Sequence, residues 1–281
     1  MPTINEVLKL FQSALNDEFN DREKKQIGKM FLLSYLNMST ADLVLRKNEY
    51  VDDTLWEKFK LAIETINAGE PVQYVLGKAY FYGLELQIDK RALIPRPETE
   101  ELVDWVLESI SPVATILDIG TGSGCIALAL KDNLPEAKIC GVDESEDALS
   151  LAQSNAELLQ LDVKFKKADA LNLSAYFNRK WDAIVSNPPY IPKSEAKEMK
   201  PHVVNFEPEM ALFVPDEDSL LFYREIAHYA KEHLTENGML FFEIHEYLAN
   251  DVVDLLDELG FSKVEIRKDL QEKERMVRAS V

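Results

Sequence analysis

The sequence predicts an α/β protein in which a mainly parallel sheet is wrapped by helices and preceded by a small all-helical domain. Three observations carry this. Apolar strand-like runs alternate with helical periodicity from residue 115 onward. One of those runs leads directly into a glycine-rich loop and a further apolar helix, the opening of a nucleotide-binding βαβ unit. Residues 1 to 75, by contrast, carry only the helical period.

In the first 75 residues, Leu55, Phe59, Ala62, Ile63 and Ile66 fall on one helix face, with Asp52 and Asp53 as caps before it and Gly69 as a stop after it. Met30, Phe31, Leu33 and Leu36 repeat the pattern, and a helical bundle follows. It has no cofactor motif of its own, which makes it a candidate for substrate recognition. Residues 76 to 95 read as a hairpin-like linker, because Phe81, Leu84, Leu86 and Ile88 alternate around Gly83. The third segment, 96 to 281, should hold strands near 115–119, 138–142, 163–166, 181–186, 239–244 and 261–267. Helices are expected near 98–110, 123–133, 145–159, 218–235 and 246–259.

The glycine loop reads Asp118-Ile119-Gly120-Thr121-Gly122-Ser123-Gly124-Cys125. Its glycines let the backbone turn tightly and approach a ligand that a Cβ would exclude. They alternate, whereas the dinucleotide fingerprint needs its third glycine one residue later, where Cys125 stands, so the spacing disfavours NAD. An acid ahead of the loop, Asp118, and another closing the next strand, Asp143, suit S-adenosylmethionine, which has an adenosine and a sulfonium but no pyrophosphate. Asp143 can accept both ribose hydroxyls.

Behind the strand 181–186 stands Asn187-Pro188-Pro189-Tyr190. An amide or exocyclic amino nitrogen is a poor nucleophile because its lone pair is delocalised. The Asn187 side-chain oxygen and the Pro188 carbonyl can each accept one of its N–H bonds and aim the lone pair at an electrophilic methyl group. Pro188 and Pro189 stiffen the loop, and Tyr190 offers a flat face to a planar group. A plain turn after a strand would also use such residues. In a parallel sheet the loops after 119, 142 and 186 converge at the strands' carboxyl ends, so Gly120 to Gly124, Asp143 and Asn187 should surround one crevice.

The chain resembles the protein-(glutamine-N5) methyltransferases that modify class I peptide-chain release factors. Leu93 to Glu100, Leu117 to Leu130 and Ile184 to Pro192 carry the likeness, joined by Glu207-Pro208, Ala211-Leu212 and Lys268-Asp269-Leu270. The resemblance implies a Rossmann-like S-adenosylmethionine-dependent sheet, contacts to the adenine from Asp169 or the backbone of Ala170, and a cofactor pocket partly lined by residues 95 to 100. Asp169 could equally cap a helix, and Thr99-Glu100 could simply open one. It also implies the substrate, a glutamine in a Gly-Gly-Gln motif, methylated by direct in-line displacement without a covalent enzyme intermediate or a strong general base. One departure stands out: His245 occupies the position after the 239–244 strand where the family usually has Gly.

Bulk properties agree with a soluble enzyme, expected in the cytoplasm. The 281 residues are 46% hydrophobic, enough for two cored domains, and no run approaches the ~20 apolar residues of a membrane span. The start has neither basic nor apolar signal-peptide regions. Cys125 and Cys140 read as small hydrophobes rather than a disulfide, and the four histidines show no metal-ligand spacing, so no metal is expected. A net charge of −19 repels a phosphate backbone. That counts against the main alternative, methylation of adenine or guanine amino groups in nucleic acid. A non-catalytic adaptor is the third reading, opposed by the intact 187–190 tetrapeptide.

Overall fold

The computed structural model describes all residues from Met1 to Val281 and divides into two compact units, Met1–Gly77 with Pro201–Phe206, and Lys78–Lys200 with Glu207–Val281. In the first unit the helices are α1 (Ile4–Ala14), α2 (Asp21–Leu36), α3 (Thr40–Leu45), α4 (Asp53–Asn67) and α5 (Val72–Leu76). Each start is written locally. Thr3 with Glu6, Asn20 with Glu23, and Ser39 with Asp42 form capping boxes, and Asp52 accepts the Leu55 N–H at 2.8 Å. Asp53, also expected as a cap, lies in the first turn of α4 instead. Phe11, Phe31 and Phe59 are fully buried and, with Tyr35, pack ring to ring at centroid distances of 5.3 to 6.0 Å.

The second unit opens with a hairpin, β1 (Lys78–Phe81) and β2 (Leu84–Gln87). It is no free linker. Phe81, Leu84 and Leu86 are buried in the second unit's own core, and Asn155 clamps Gln87 by accepting its N–H at 2.7 Å and donating to its carbonyl at 3.0 Å. Then follow α6 (Pro97–Ser109), β3 (Thr115–Ile119), α7 (Cys125–Asn133), β4 (Lys138–Asp143), α8 (Glu146–Leu159), β5 (Lys164–Lys167) and β6 (Trp181–Ser186). Beyond them lie β7 (Ile191–Pro192), α9 (Pro201–Phe206, grouped with the first unit), α10 (Glu209–Leu212), β8 (Phe213–Val214), α11 (Leu221–His233), β9 (Leu234–Glu243), α12 (Ala249–Glu258), β10 (Ser262–Lys268) and β11 (Glu274–Ser280).

The main sheet has seven strands in the order β10-β11-β9-β6-β3-β4-β5. Strands β9, β6, β3, β4 and β5 run parallel, and β11 is antiparallel to both of its neighbours. The six expected strands are present within a few residues of their expected bounds, but β11 was not foreseen. Its residues Met276, Val277 and Ala279 are buried, while Arg275 ahead of them and Arg278 among them are half-hidden stems whose heads reach Asp269 and Glu265. Along the chain β3, β4 and β5 step outward to one edge, after which β6 returns to the other side of β3, which places the switch point between β3 and β6. No helix is long and apolar enough to cross a membrane.

Gly141 in β4 pairs with Asp118 of β3. A Cβ there would come within 2.7 Å of both Phe165 Cε1 and Thr121 Oγ1. Gly141→Ala should therefore cost about 1–3 kcal/mol through overpacking of a rigid sheet. Urea unfolding checks this, and an unchanged midpoint would mean that Phe165 can withdraw.

Candidate functional site

The site starts from strand register. Ile119 pairs with Ser186, and Ser186 Oγ donates to the Ile119 carbonyl at 2.8 Å, so the loops that leave β3 and β6 begin side by side. Gly120 and Thr121 both donate their N–H to the Val142 carbonyl at 2.9 Å, which folds the first loop over β4. Gly120, Gly122 and Gly124 hold φ of +73°, +54° and +84°, a region that costs other residues strain. Asp143 ties the pieces together: one carboxylate oxygen accepts the Gly122 N–H at 2.9 Å and the other the Ser145 N–H at 2.9 Å. Burial raises its pKa, opposed by those same backbone donors.

A cavity of about 310 Å³ lies at these strand ends. Of the residues singled out from sequence, Gly120, Gly122, Asp143, Ala170, Asn187, Pro188 and Pro189 line it. Thr121, Ser123, Gly124 and Tyr190 do not. Thr121 is buried and donates its hydroxyl to Asp118 at 2.6 Å. The Ser123 carbonyl accepts from Asn155 at 3.0 Å, and Gly124 gives Leu128, Ala152 and Phe165 room to close beneath the loop. Tyr190 packs into the core beside α11, its ring 5.5 Å from that of His245, and burial raises its pKa.

Two finer expectations change. Asp169 turns its carboxylate to the Leu171 N–H at 2.8 Å, acting as a turn cap, while Ala168 and Ala170 form the wall. The stretch 95–100 does not line the cavity. Arg91, Ala92 and Leu93 do so instead, and Arg96 binds the buried Glu207 at 2.7 Å. Glu207 also accepts the Ile94 N–H at 3.2 Å, so an ion pair fixes the approach to the cavity wall.

Behind Asn187 runs a chain that the sequence did not suggest. Asn187 Nδ2 donates to Thr99 Oγ1 at 3.4 Å, and Thr99 Oγ1 donates to Glu243 Oε2 at 2.6 Å. Glu243 is buried, which pushes its carboxyl up to about 7 against the Thr99 hydrogen bond and the Arg275 charge. His245, two residues on, is half-buried, and desolvation lowers its pKa; it stands between the rings of Tyr190 and Tyr247.

The residues present fit S-adenosylmethionine. Glycines at positive φ leave backbone where side chains would fill the cradle, Asp143 stands at its rim with acceptor capacity left on both oxygens, and Ala168, Ala170 and Phe222 supply apolar wall for a planar base.

Comparison with known proteins gives the chain its relatives. Residues 99–205 match the methyltransferase small domain, and residues 6–77 match the PrmC N-terminal domain. The release factor glutamine methyltransferase of Flavobacterium psychrophilum is 38% identical over 96% of this chain and 96% of its own. That of Bacteroides thetaiotaomicron is 36% identical over 99% of this chain and 100% of its own. Among solved structures, a methyltransferase from Pyrococcus furiosus superposes with a TM-score of 0.54 at 18% identity, covering 71% of this chain and 90% of that one, and so supports the fold. With whole-length relatives above 30% identity and both of its domains matched, the chain belongs to the release factor glutamine methyltransferase family.

Proposed function

We propose that the protein transfers a methyl group from S-adenosylmethionine to the side-chain nitrogen of the glutamine in the Gly-Gly-Gln motif of class I peptide-chain release factors, in the cytoplasm. The observation that carries this is the placement of Asn187 and Pro188 on one cavity wall beside Gly120, Gly122 and Asp143, in a chain related to such enzymes over its whole length. The cofactor, when bound, supplies a methyl group activated by its sulfonium. Asp143 and the loop Gly120 to Gly124 hold it. Asn187 Oδ1 and the Pro188 carbonyl accept the two amide N–H bonds of the substrate glutamine and aim its lone pair along the line of displacement. No side chain of this protein has to take up a leaving group, because the sulfonium carries away the electron pair of the S–C bond as the N–C bond forms. The nitrogen then releases a proton to water, so no side chain has to act as a strong base.

The helical unit Met1–Gly77 is the proposed recognition element for the factor. Mass spectrometry of release factor incubated with enzyme and cofactor should place one added methyl on the Gly-Gly-Gln glutamine, and Gln→Ala in the factor should abolish it. Label entering RNA or DNA, with none in the factor, would favour the nucleic-acid reading, which also requires affinity that falls steeply with salt.

Asp143→Ala should weaken cofactor binding by about 1.5–3 kcal/mol through loss of a charge-assisted contact. Because Asp143 also anchors Gly122, the loss should exceed that of a surface carboxylate. Calorimetric titration reads it, and unchanged affinity would remove Asp143 from the cofactor site.

A further inference from the structure

The two ends of an asparagine amide are opposite in hydrogen-bonding character, and the proposed chemistry uses only the acceptor end of Asn187. A side chain free to rotate by half a turn would present Nδ2 to the substrate nitrogen as often as Oδ1. Thr99, the third residue of α6, and Glu243, the last of β9, are both about 2% exposed and meet behind Asn187. The Thr99 hydroxyl is not spent on opening its helix, since no side chain caps α6 and the Thr99 backbone N–H already reaches the Arg96 carbonyl at 3.1 Å.

That hydroxyl carries one proton, which it gives to Glu243 Oε2 at 2.6 Å. An ionised carboxylate only accepts, so Thr99 Oγ1 has nothing but lone pairs left for Asn187. Nδ2 of Asn187 lies 3.4 Å from this oxygen. Turned by half a revolution, Asn187 would bring Oδ1 against those lone pairs with no proton between them. Burial pushes the Glu243 carboxyl up to about 7 against the Thr99 hydrogen bond and the Arg275 and Arg96 charges, so the ionised form prevails at pH 8.

We propose that Thr99 and Glu243 are positioning residues that lock the Asn187 amide with Nδ2 turned inward, leaving Oδ1 as the group offered to the substrate nitrogen. Neither touches substrate. The proposal rests on the reading of Asn187 as the acceptor for that nitrogen.

Thr99→Val, Thr99→Ala and Thr99→Ser separate hydroxyl from volume. At pH 8 the valine and alanine variants should lose about 10-fold in kcat, with the KM for release factor and the cofactor Kd within about twofold of the parent, because orientation at the reacting atom is lost rather than binding. The serine variant should hold kcat within about twofold, since it keeps the proton donor and the lone pairs. Melting points measured alongside identify any variant whose loss is one of folding, and the alanine and serine pair decides the matter if valine does not fit. Parental kcat in Thr99→Ala, or equal losses in the serine and alanine variants, would overturn the proposal. Slow Asn187→Ala with fast Thr99→Ala sinks the positioning chain alone, whereas near-parental turnover in Asn187→Ala removes the functional reading beneath it.

Discussion

Asn187→Ala is expected to lower kcat for glutamine methylation by about 100-fold or more while cofactor affinity stays within a few-fold of the parent. The argument is local. The alanine keeps the backbone of the 187–190 turn, which the register between Ile119 and Ser186 sets before the side chain is reached. It deletes one of two acceptors that hold the substrate nitrogen in line, and orientation of this kind is an effect on turnover rather than on cofactor binding. Steady-state kinetics at saturating factor, with calorimetric cofactor titration on the same preparation, separate the two. A variant that turns over normally would show that the Pro188 carbonyl suffices.

Asp118→Asn is expected to stabilise the protein by an amount that grows with pH, about 2 kcal/mol more at pH 8 than at pH 5.5. Asp118 is completely buried at the end of β3, with Oδ2 held by Thr121 and Oδ1 in no hydrogen bond. Burial pushes its carboxyl up to about 7, against the Thr121 hydroxyl and the Ala127 backbone N–H and with the help of the Asp143 charge. A carboxyl raised on folding binds its proton more tightly in the native state. Its contribution is whole below the unfolded value near 4 and is lost as pH climbs toward 7, at about 1.4 kcal/mol per unit. Asparagine has no such loss. Glu243 shifts in the same direction but is present in both proteins, so the difference isolates Asp118. Urea unfolding at the two pH values reads it, and an equal gain at both would mean that Asp118 is ionised throughout.

Much of the site was legible because its logic is local. Gly120, Gly122 and Gly124 announce a backbone at positive φ, Asp143 closes a strand, and Asn187 follows one; each statement concerns a few adjacent residues. The partnership of Thr99 with Glu243 spans 144 residues, and that of Asn187 with Thr99 spans 88. No spacing rule reaches so far, and Thr99 carried a sufficient explanation as a helix opener. The same limit applies to the hairpin 78–87. Alternation around Gly83 identified two strands, but only the burial of Phe81 and Leu86 in one cluster with residues of α6 and β3 shows that they belong to the catalytic core. Strand β11 failed differently: three inward apolar residues interrupted by arginines are too weak a pattern when the arginine heads find partners elsewhere.

The position of β11 also bears on how the protein is made. It enters the sheet between β9 and β10, yet it follows both of them in the chain. Until residues 274–280 are available, β9 offers an unpaired margin from Met239 to Glu243, and β10 has no partner at all. Exposed strand margins of this kind recruit other chains. The residues lining the cavity, the last of them Ile226, all precede that moment. A nascent or truncated chain can thus hold every residue of the cofactor cavity while its sheet remains open to self-association.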